Sequence, residues 1–232
     1  KVFSDPKTYS DELFSFLTTR IQMLAEGFMP ALSLPADYRG DTMLLEPDAH
    51  NLVRVLEFMG RTYPDIAQKL YDDLKWMLAH VKETEIRSDD VKAQMVVRET
   101  EQAWEAPTIS AGTARLTAML AAHYALEMQD AEQPGLVVIE EPDTALNPGL
   151  LRKFVEQIRN YVEGEYPRQF IFTTHNPRFL DYFQPEEVRV VERDEQGLTT
   201  VKHIPDHIRK IWLDEYTLGE VWMTRSLGGL PE

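Results

Sequence analysis

Two adjacent carboxylates, Glu140 and Glu141, directly follow a run of four apolar residues, Leu136–Ile139. A short apolar run bounded by turn-forming residues is typical of a strand that is buried on both faces, as in a parallel sheet. Open α/β sheets bind ligands at the carboxyl ends of such strands. One carboxylate at this position could join the shell of a magnesium ion, and its neighbour could act as the base toward an attacking water. The alternative is an acidic strand end that only caps a neighbouring helix.

A second apolar segment, Phe170–Phe172, also ends in polar residues and places His175 at the tip of a strand. A neutral imidazole there can contact a terminal phosphate and the water that attacks it. Alternatively, His175 caps the helix that starts after Asn176. Together with the preceding acidic strand end, the histidine favours magnesium-assisted nucleotide hydrolysis.

A third motif, Ser110-Ala-Gly-Thr113, opens a predicted helix. Ser110 is a good N-cap, and Gly112 lets backbone amides approach an anion closely. The free N–H groups and the positive end of the helix dipole favour a bound anion. Taken alone, however, the motif is explained better by plain helix capping.

The elements that would position these residues change character along the chain. Residues 5–30 and 48–82 are predicted to be helical, with a loop or irregular ribbon between them. Met95–Arg98 is a short strand candidate. From Ser110 onward the predicted order is helix 110–129, strand 135–140, helix 148–163, strand 168–174, helix 177–182, strands 187–193 and 198–204 around a hairpin-type turn, and helical segments near 205–215 and 217–224. The sequence therefore predicts a mostly helical arm or lid subdomain at 1–92 and an α/β lobe with a parallel sheet core at 93–232.

Composition excludes several classes of function. The chain has 232 residues with 24 Lys and Arg against 39 Asp and Glu, so its net charge is −15. A protein surface that binds nucleic acid along its whole extent is therefore not expected, and a local basic patch remains the alternative. No apolar run approaches the roughly 18 residues of a membrane span, so we expect no membrane partner. The sequence begins with polar and acidic residues and shows no signal-peptide pattern, so we do not expect one. The absence of cysteine excludes disulfides and thiolate metal sites and agrees with a cytoplasmic location.

The remaining acidic residues and histidines are not predicted to form metal sites. Asp72-Asp73 and Asp89-Asp90 lie in charged stretches and are interpreted as solvated faces. The other histidines lack a paired zinc-ligand spacing such as His-Glu-x-x-His.

Taken together, the three motifs resemble the C-terminal lobe of a P-loop, ABC-type ATPase head of the SMC/RecF/OLD branch. Ile139-Glu-Glu-Pro142 resembles the Walker B strand, and Asp143–Pro148 resembles the D-loop. Thr174-His-Asn176 is similar to the switch-histidine loop, and Ser110–Thr113 is similar to the signature loop. Three segments are also similar to the bacterial AAA-type ATPases of the OLD-like group, namely Ser110–Arg115, Asp48–Leu56 and Trp212–Trp222.

The resemblance implies that ATP and Mg²⁺ are the cofactors and that ATP is held between two heads in a head-to-head homodimer. In one head Glu140 would hold the metal, Glu141 would orient and deprotonate the water, and His175 would sense the γ-phosphate.

The resemblance also implies contributions across the dimer. The opposing head would supply the signature-loop residues Ser110, Gly112 and Thr113 to the γ-phosphate, and Asp143 and Asn147 would couple the two sites. Thr113 and its neighbour differ from the residues of transporter-type signature loops, so transport is not expected. Glu140 stands where many ABC ATPases have aspartate, although a pair of glutamates is usual in this branch.

The largest departure from the family is the absence of a Gly-x-x-x-x-Gly-Lys-[Ser/Thr] phosphate loop, the Walker A motif. Without that loop, no backbone cradle or lysine holds the β- and γ-phosphates. We therefore expect this polypeptide to be the C-terminal portion of a longer protein, completed by its own N-terminal segment, or one half of a split head.

Family resemblance implies a role in DNA transactions or anti-phage defence, commonly alongside a nuclease partner. One rival function is a non-catalytic dimerisation or partner-docking module that needs a separate Walker A segment for any ATPase activity. Another is a nuclease, because OLD-like proteins often carry a C-terminal Toprim domain. That domain needs its own acidic metal cluster, and we expect none because the sequence ends directly after the ATPase-type segment, at 227–232.

Overall fold

The computed structural model describes residues 20–35, 43–99, 102–105, 108–129, 132–165, 168–206, 208, 215–224 and 226–228. Contacts divide the chain into two compact units, Lys1–Thr173 and Thr174–Glu232. The predicted subdomain boundary between residues 92 and 93 falls at the start of a strand in the first unit.

The described part of the first unit contains strands in two sheets. They are β1 (Arg20–Leu24), β2 (Ser33–Pro35), β3 (Val81–Ser88), β4 (Lys92–Glu99), β5 (Gln102–Glu105), β6 (Gly135–Glu140) and β7 (Arg168–Thr173). The order β1-β6-β7 forms a parallel sheet, in which Glu140 is paired with Thr173. The second sheet is antiparallel and centred on β4, which pairs with β2, β3 and β5.

The helices of the first unit pack against both of its sheets. They are α1 (Leu52–Thr62), α2 (Pro64–Met77), α3 (Ala111–Gln129) and α4 (Pro148–Val162). Of these, α1 and α2 lie on the antiparallel sheet and α3 and α4 on the parallel one. Almost every side chain of α3 is buried, as expected for a helix that is apolar all round. A Cβ atom on Gly135 would lie 2.9 Å from Leu126 Cδ1, so α3 packs directly against β6. On β7, the Phe172 ring contacts Phe154 of α4 at 5.8 Å between centroids. One face of the sheet is therefore covered by α3 and α4.

The helical prediction for residues 5–30 is wrong at Arg20–Leu24, which forms β1, while residues 5–19 lie outside the described part. The helical prediction for 48–82 is confirmed by α1 and α2 but fails at its end, because β3 begins at Val81. β1 pairs with the distant strand β6 and β3 pairs with the neighbouring strand β4, and in both places strand pairing overrides the local pattern. The predicted strand at Met95–Arg98 is confirmed within β4.

Asp73 is not on a solvated face as predicted; it is half-buried at the junction of three helices. Its carboxylate accepts hydrogen bonds from Tyr124 on α3 at 2.6 Å and from Gln157 on α4 at 3.0 Å. The Tyr161 hydroxyl of α4 also donates to it. Burial raises the pKa of the Asp73 carboxyl, and these hydrogen bonds oppose the rise. Its neighbour Asp72 is exposed, as predicted.

His123 lies beside this junction, where its ring stacks on Tyr161 with 3.8 Å between centroids. The side chain is buried, and its Nδ1 atom has no hydrogen-bond partner among the described residues. Burial, together with the smaller effect of the charges of Arg168 and Lys69, lowers the pKa of His123 to about 3. The folded protein therefore keeps this histidine neutral.

We expect the free energy of unfolding to fall in acid because of His123. The unfolded chain, with an ordinary His pKa of about 6.5, accepts a proton that the folded protein excludes until about pH 3. This contribution to the free energy of unfolding is therefore complete above about pH 6.5. Below that pH it falls by about 1.4 kcal/mol for each pH unit. Urea unfolding at several pH values measures the slope. The variant His123→Phe, which keeps a ring against Tyr161, should flatten it; an unchanged slope would contradict the assignment.

The second unit contains a hairpin and two short helices among its described residues. They are α5 (Pro177–Leu180), β8 (Arg189–Arg193), β9 (Thr199–His203) and α6 (Leu218–Met223). The predicted turn at 194–197 is confirmed, with the Asp194 carboxylate accepting from the Leu198 N–H at 2.9 Å and Gly197 at φ 79°. The predicted helix at 217–224 is confirmed by α6, whereas most of the segment at 205–215 lies outside the described residues. Trp222 and Val221 of α6 join the core of this unit. In the part of the chain that is described, no helix combines the length and the apolar composition that crossing a membrane requires.

Candidate functional site

Glu140 is the last residue of β6, at the carboxyl end of the parallel sheet. Its Oε2 atom accepts a hydrogen bond from the backbone N–H of Glu26, at 2.8 Å. Glu26 follows β1 in the chain, so this bond joins the ends of two adjacent strands. The Glu140 carboxylate is thereby fixed at the sheet edge where the sequence predicts a metal ligand.

Glu141 has a left-handed backbone, with φ 45° and ψ 58°. For a residue other than glycine, this conformation costs about 1–2 kcal/mol. The surrounding bonds hold it in place: its N–H donates to the Thr173 carbonyl oxygen at 3.1 Å, and its own carbonyl accepts from the Thr144 hydroxyl at 3.0 Å. Strained residues of this kind occur often at functional sites, because the strain fixes a side chain in one direction.

Arg115, on the first turns of α3, also binds the Glu141 carbonyl oxygen, through Nη2 at 3.3 Å. The arginine is only 4% exposed, and its guanidinium lies 4.2 Å from the ring centroid of Phe28. Burial lowers the pKa of Arg115, while the charges of Glu141 and Asp143 raise it. An arginine stays protonated in either case, so a buried positive charge lies beside the two acidic residues.

No role is predicted for Arg115, Glu26 or Thr173 in the sequence, although the structure places all three against Glu140 or Glu141. A signal for Arg115 was present in the sequence. It is an arginine on a helix whose other residues are almost all apolar, and it ends the Ser-x-Gly-Thr-x-Arg pattern. Nothing local marks Glu26, because it acts through its backbone.

The signature-type residues stand at the beginning of α3. The Ser110 hydroxyl accepts from the Thr113 N–H at 3.1 Å and lies 2.9 Å from the Thr113 hydroxyl. This is the helix cap that the sequence favours when the motif is taken alone. Ser110 is exposed and Gly112 is half-buried, so this end of α3 borders solvent. The predicted contact with a γ-phosphate remains a prediction.

Asp143 and Asn147 follow Glu141 in a short 3₁₀ turn and the start of α4. Asp143 lies in the turn, Pro142–Ala145, and is half-buried. Asn147 is the N-cap of α4, where its side-chain oxygen accepts from the Leu150 N–H at 3.0 Å. Capping thus occupies the Asn147 oxygen, and the predicted coupling role of both residues is not tested by this geometry.

His175 belongs to the second unit, in the loop between Thr174 and Asn176, and it is exposed. The helix cap that the sequence allows for His175 is supplied by Asn176, whose side-chain oxygen accepts from the Arg178 N–H at 3.0 Å. The structure therefore brings together Glu140, Glu141 and Asp143 in the first unit, near the helix that begins after Ser110. His175 belongs to the second unit.

Gly219 fixes the start of the helix that follows the His175 loop. A Cβ atom at this position would lie 2.2 Å from the carbonyl oxygen of Pro177, the first residue of α5. The Gly219 N–H also donates to the Asp181 carboxylate at 2.8 Å. The glycine thus permits a backbone contact that no other residue would allow.

We expect Gly219→Ala to lower the free energy of unfolding of the second unit by about 1–3 kcal/mol, because the added methyl group meets backbone atoms that must move. Hydrogen exchange of the amides in residues 174–228 measures the effect locally. Gly60→Ala is the matched control, because a Cβ atom there meets nothing within 4 Å and alanine is the better helix former. Equal protection in both variants would show that the Pro177 contact is not needed.

The residues present fit a magnesium ion, which needs few protein ligands, better than a metal ion that is coordinated by protein side chains alone. Among the described residues, no three His, Cys, Asp or Glu side chains gather closely enough to hold a metal ion by themselves. Mg²⁺ uses one or two carboxylates and completes its shell with water and substrate phosphate. Glu140, at an open sheet edge, meets that requirement.

Comparisons with known proteins agree with this fold. The family described as "AAA domain, putative AbiEii toxin, Type IV TA system" matches residues 39–181. The OLD nuclease of Thermus scotoductus is 30% identical over 101 residues, which are 44% of this chain and 18% of that protein. The chain therefore spans less than a fifth of the length of this relative.

Solved structures of SMC ATPases show the same fold. One, from work on ATP-driven dimerization and DNA-stimulated activation of SMC ATPases, matches with a TM-score of 0.52 at 12% identity, over 69% of this chain and 96% of that one. Another, an Smc head bound to the C-terminal winged-helix domain of ScpA, matches with a TM-score of 0.50 at 15% identity, over 70% of this chain and 48% of that one. The chain therefore belongs to the AAA-domain family that matches residues 39–181, and its α/β fold is that of a P-loop ATPase lobe of the ABC, SMC and OLD type.

Proposed function

We propose that the whole protein binds and hydrolyses ATP and that this chain forms the C-terminal lobe of its ATPase head. The observation that carries the proposal is the geometry of Glu141. A glutamate in a strained left-handed turn follows Glu140 at the carboxyl end of a parallel sheet, and a buried arginine holds its carbonyl group. Stability alone does not require a glutamate there, since glycine would adopt this conformation without strain.

In this proposal Glu141 accepts the proton of the attacking water, and Glu140 holds Mg²⁺. The ion supplies positive charge that balances the charge developing on the phosphate oxygens. Arg115 fixes the peptide group of Glu141, so the carboxylate keeps one direction while the proton moves. His175, exposed on its loop, would contact the γ-phosphate.

The start of α3 would serve the opposing head of a dimer. Ser110, Gly112 and Thr113 lie at the exposed N-terminus of a 19-residue helix, whose dipole favours a phosphate. Asp143 and Asn147 would transmit the state of one site to the other through the turn after Glu141. The similar SMC ATPase structure comes from work on ATP-driven dimerization, and this supports an arrangement of two heads.

We propose further that the protein acts in DNA transactions or anti-phage defence with a nuclease. The OLD nuclease relative and the toxin–antitoxin description of the family support this role. With a net charge of −15, this chain is not expected to provide a general nucleic-acid surface.

A second candidate is a non-catalytic dimerisation or docking module. It is favoured by one observation, the absence of a Gly-x-x-x-x-Gly-Lys-[Ser/Thr] loop from all 232 residues. In that case the family fold would serve only to bind a partner.

The test is ATP turnover by the whole protein as a function of Mg²⁺ concentration. We expect Glu140→Gln to raise the Mg²⁺ concentration for half-maximal rate by about tenfold or more, because an amide oxygen carries no charge. Glu156→Gln, an exposed glutamate on α4, is the control and should change nothing. If the whole protein binds partners but hydrolyses no ATP at any Mg²⁺ concentration, the docking module is the correct function.

A further inference from the structure

The segment 43–51, which leads into α1, is held by two buried side-chain amides. None of its residues belongs to a helix or a strand, so its backbone groups need partners from elsewhere. Gln22 of β1, which is 2% exposed, supplies the first amide. Its Nε2 atom donates to the Leu45 carbonyl oxygen at 2.7 Å, and its Oε1 atom accepts from the Leu45 N–H at 3.0 Å. A strand residue thereby ties the segment to the parallel sheet.

Asn51 supplies the second amide and is completely buried. Its Nδ2 atom donates to the Leu44 carbonyl oxygen at 2.9 Å, and its Oδ1 atom accepts from the Glu46 N–H at 2.9 Å. Asn51 stands at the N-cap of α1, where an asparagine side chain usually accepts a bond from the first turn of the helix. Here it makes no such bond. Capping of α1 therefore does not explain this asparagine, whereas fixing residues 44–46 does.

Ala49 shows that the segment is held under strain. It has a left-handed backbone, with φ 57°, and is completely buried. This conformation disfavours every residue type except glycine. The Ala49 N–H donates to the Glu46 carbonyl oxygen at 2.8 Å, so Glu46 is bound by both Ala49 and Asn51. Such strain persists only where the surrounding bonds determine the conformation.

The fixed segment holds the residues that follow β1. The Pro47 carbonyl oxygen accepts from the Ala25 N–H at 2.8 Å. The next N–H along the chain, that of Glu26, donates to Oε2 of Glu140 at 2.8 Å. A shift of Pro47 would therefore also move the amide that fixes the Glu140 carboxylate.

The same turn, residues 25–28, reaches Glu141 through a different contact. It closes with a hydrogen bond from the Phe28 N–H to the Ala25 carbonyl oxygen at 3.2 Å. The buried Phe28 ring has its centroid 4.2 Å from the guanidinium carbon of Arg115. Arg115 in turn donates to the Glu141 carbonyl oxygen at 3.3 Å. The turn thus contacts the supports of both acidic residues.

We propose that Asn51 is a positioning residue for ATP hydrolysis, because it fixes residues 44–47 and through them holds the Glu26 amide against Glu140. The proposal rests on the proposed function for the metal-binding role of Glu140. Groups that orient a metal ligand contribute to metal affinity without touching the ion. Asn51 acts at a longer range than Glu26, so its effect is expected to be smaller than that of a direct partner of the carboxylate.

The Mg²⁺ dependence of ATP turnover by the whole protein tests the proposal. We expect Asn51→Leu, which keeps the size of the side chain but none of its hydrogen bonds, to raise the Mg²⁺ concentration for half-maximal rate by about threefold or more. Val53→Ala is the control for lost stability, because this completely buried residue of α1 has an apolar side chain and no hydrogen bond to residues 44–47. It should leave the Mg²⁺ dependence unchanged. An equal rise in both variants would overturn the proposal.

Combining the change with Glu140→Gln tests whether Asn51 acts through that carboxylate. In the Glu140→Gln background, Asn51→Leu should raise the half-maximal Mg²⁺ concentration by less than about 1.5-fold, because effects on one interacting pair are not additive. If Asn51→Leu has its full effect in both backgrounds, it acts independently of Glu140 and the proposal fails.

Hydrogen exchange of the Glu26 amide, measured by NMR without nucleotide, separates this inference from the proposed function. The amide should exchange at least about fivefold faster in Asn51→Leu and within about twofold of wild type in Val53→Ala, because the turn opens locally. Unchanged exchange in Asn51→Leu overturns the inference, even where Glu140→Gln raises the Mg²⁺ requirement and so supports the function. Faster exchange together with an unchanged Mg²⁺ dependence in Glu140→Gln retains the hold of Asn51 on the turn and rejects the proposed role of Glu140.

Discussion

Replacing Glu141 by glutamine in the whole protein is expected to lower kcat for ATP hydrolysis by about 10²–10⁴-fold, the usual contribution of a general base. Glutamine has nearly the same shape as glutamate and leaves the main-chain bonds to Thr173, Thr144 and Arg115 in place. What it removes is the ability to accept a proton from water. ATP binding should therefore persist while turnover is lost, and single-turnover kinetics beside equilibrium nucleotide binding would separate the two.

The matched control for Glu141→Gln is Glu156→Gln, the same change at an exposed position of α4. It should keep wild-type kcat and KM. A normal kcat in Glu141→Gln would exclude this residue as the base and leave its left-handed backbone without a catalytic explanation.

Replacing Arg115 by methionine has the second largest expected effect. The variant loses a hydrogen bond from a charged group to the Glu141 carbonyl and a cation–π contact with Phe28, together worth about 2–4 kcal/mol of unfolding free energy. It also leaves Glu141 and Asp143 without the nearby positive charge. Because the peptide group of Glu141 is then held less firmly, kcat should fall by about tenfold or more, since small misplacements of a catalytic group are costly.

Two further variants distinguish positioning from stability alone. Arg115→Lys should recover part of the stability but little of kcat, because a lysine lacks the planar fork of the guanidinium. Arg61→Met is the control, since Arg61 also lies near a ring, that of Phe58 at 5.9 Å, but is exposed. If folded Arg115→Met protein hydrolyses ATP at the wild-type rate, the arginine supports the fold only.

The parts of the fold that the sequence predicted are those with strong local signals. The apolar runs that become β6 and β7 are bounded by glycine, proline and charged residues, so their limits were predicted almost to the residue. The strand β1 was missed because its pairing partner, β6, is far away in the chain. The strand β3 was missed because most of its residues are polar or charged and exposed.

The candidate site was predicted in the same uneven way. Carboxylates after an apolar run identify Glu140 and Glu141 without any structure. The left-handed turn at Glu141 and its bond to Arg115, which lies 26 residues earlier, depend on how α3 packs against the sheet. No spacing rule reports such a contact, because it is made by tertiary packing.

Under the proposed role, the amide of Glu26 limits how Glu140 can coordinate a cation. Its N–H donates to Oε2, which takes one of the two lone pairs of that oxygen and makes Oε1 the better placed oxygen for a metal. Ca²⁺ often takes both oxygens of a carboxylate, whereas Mg²⁺ requires near-octahedral geometry and few protein ligands. Monodentate coordination through Oε1 would favour the smaller ion, so a backbone group that is not itself a ligand would contribute to the metal preference of this site.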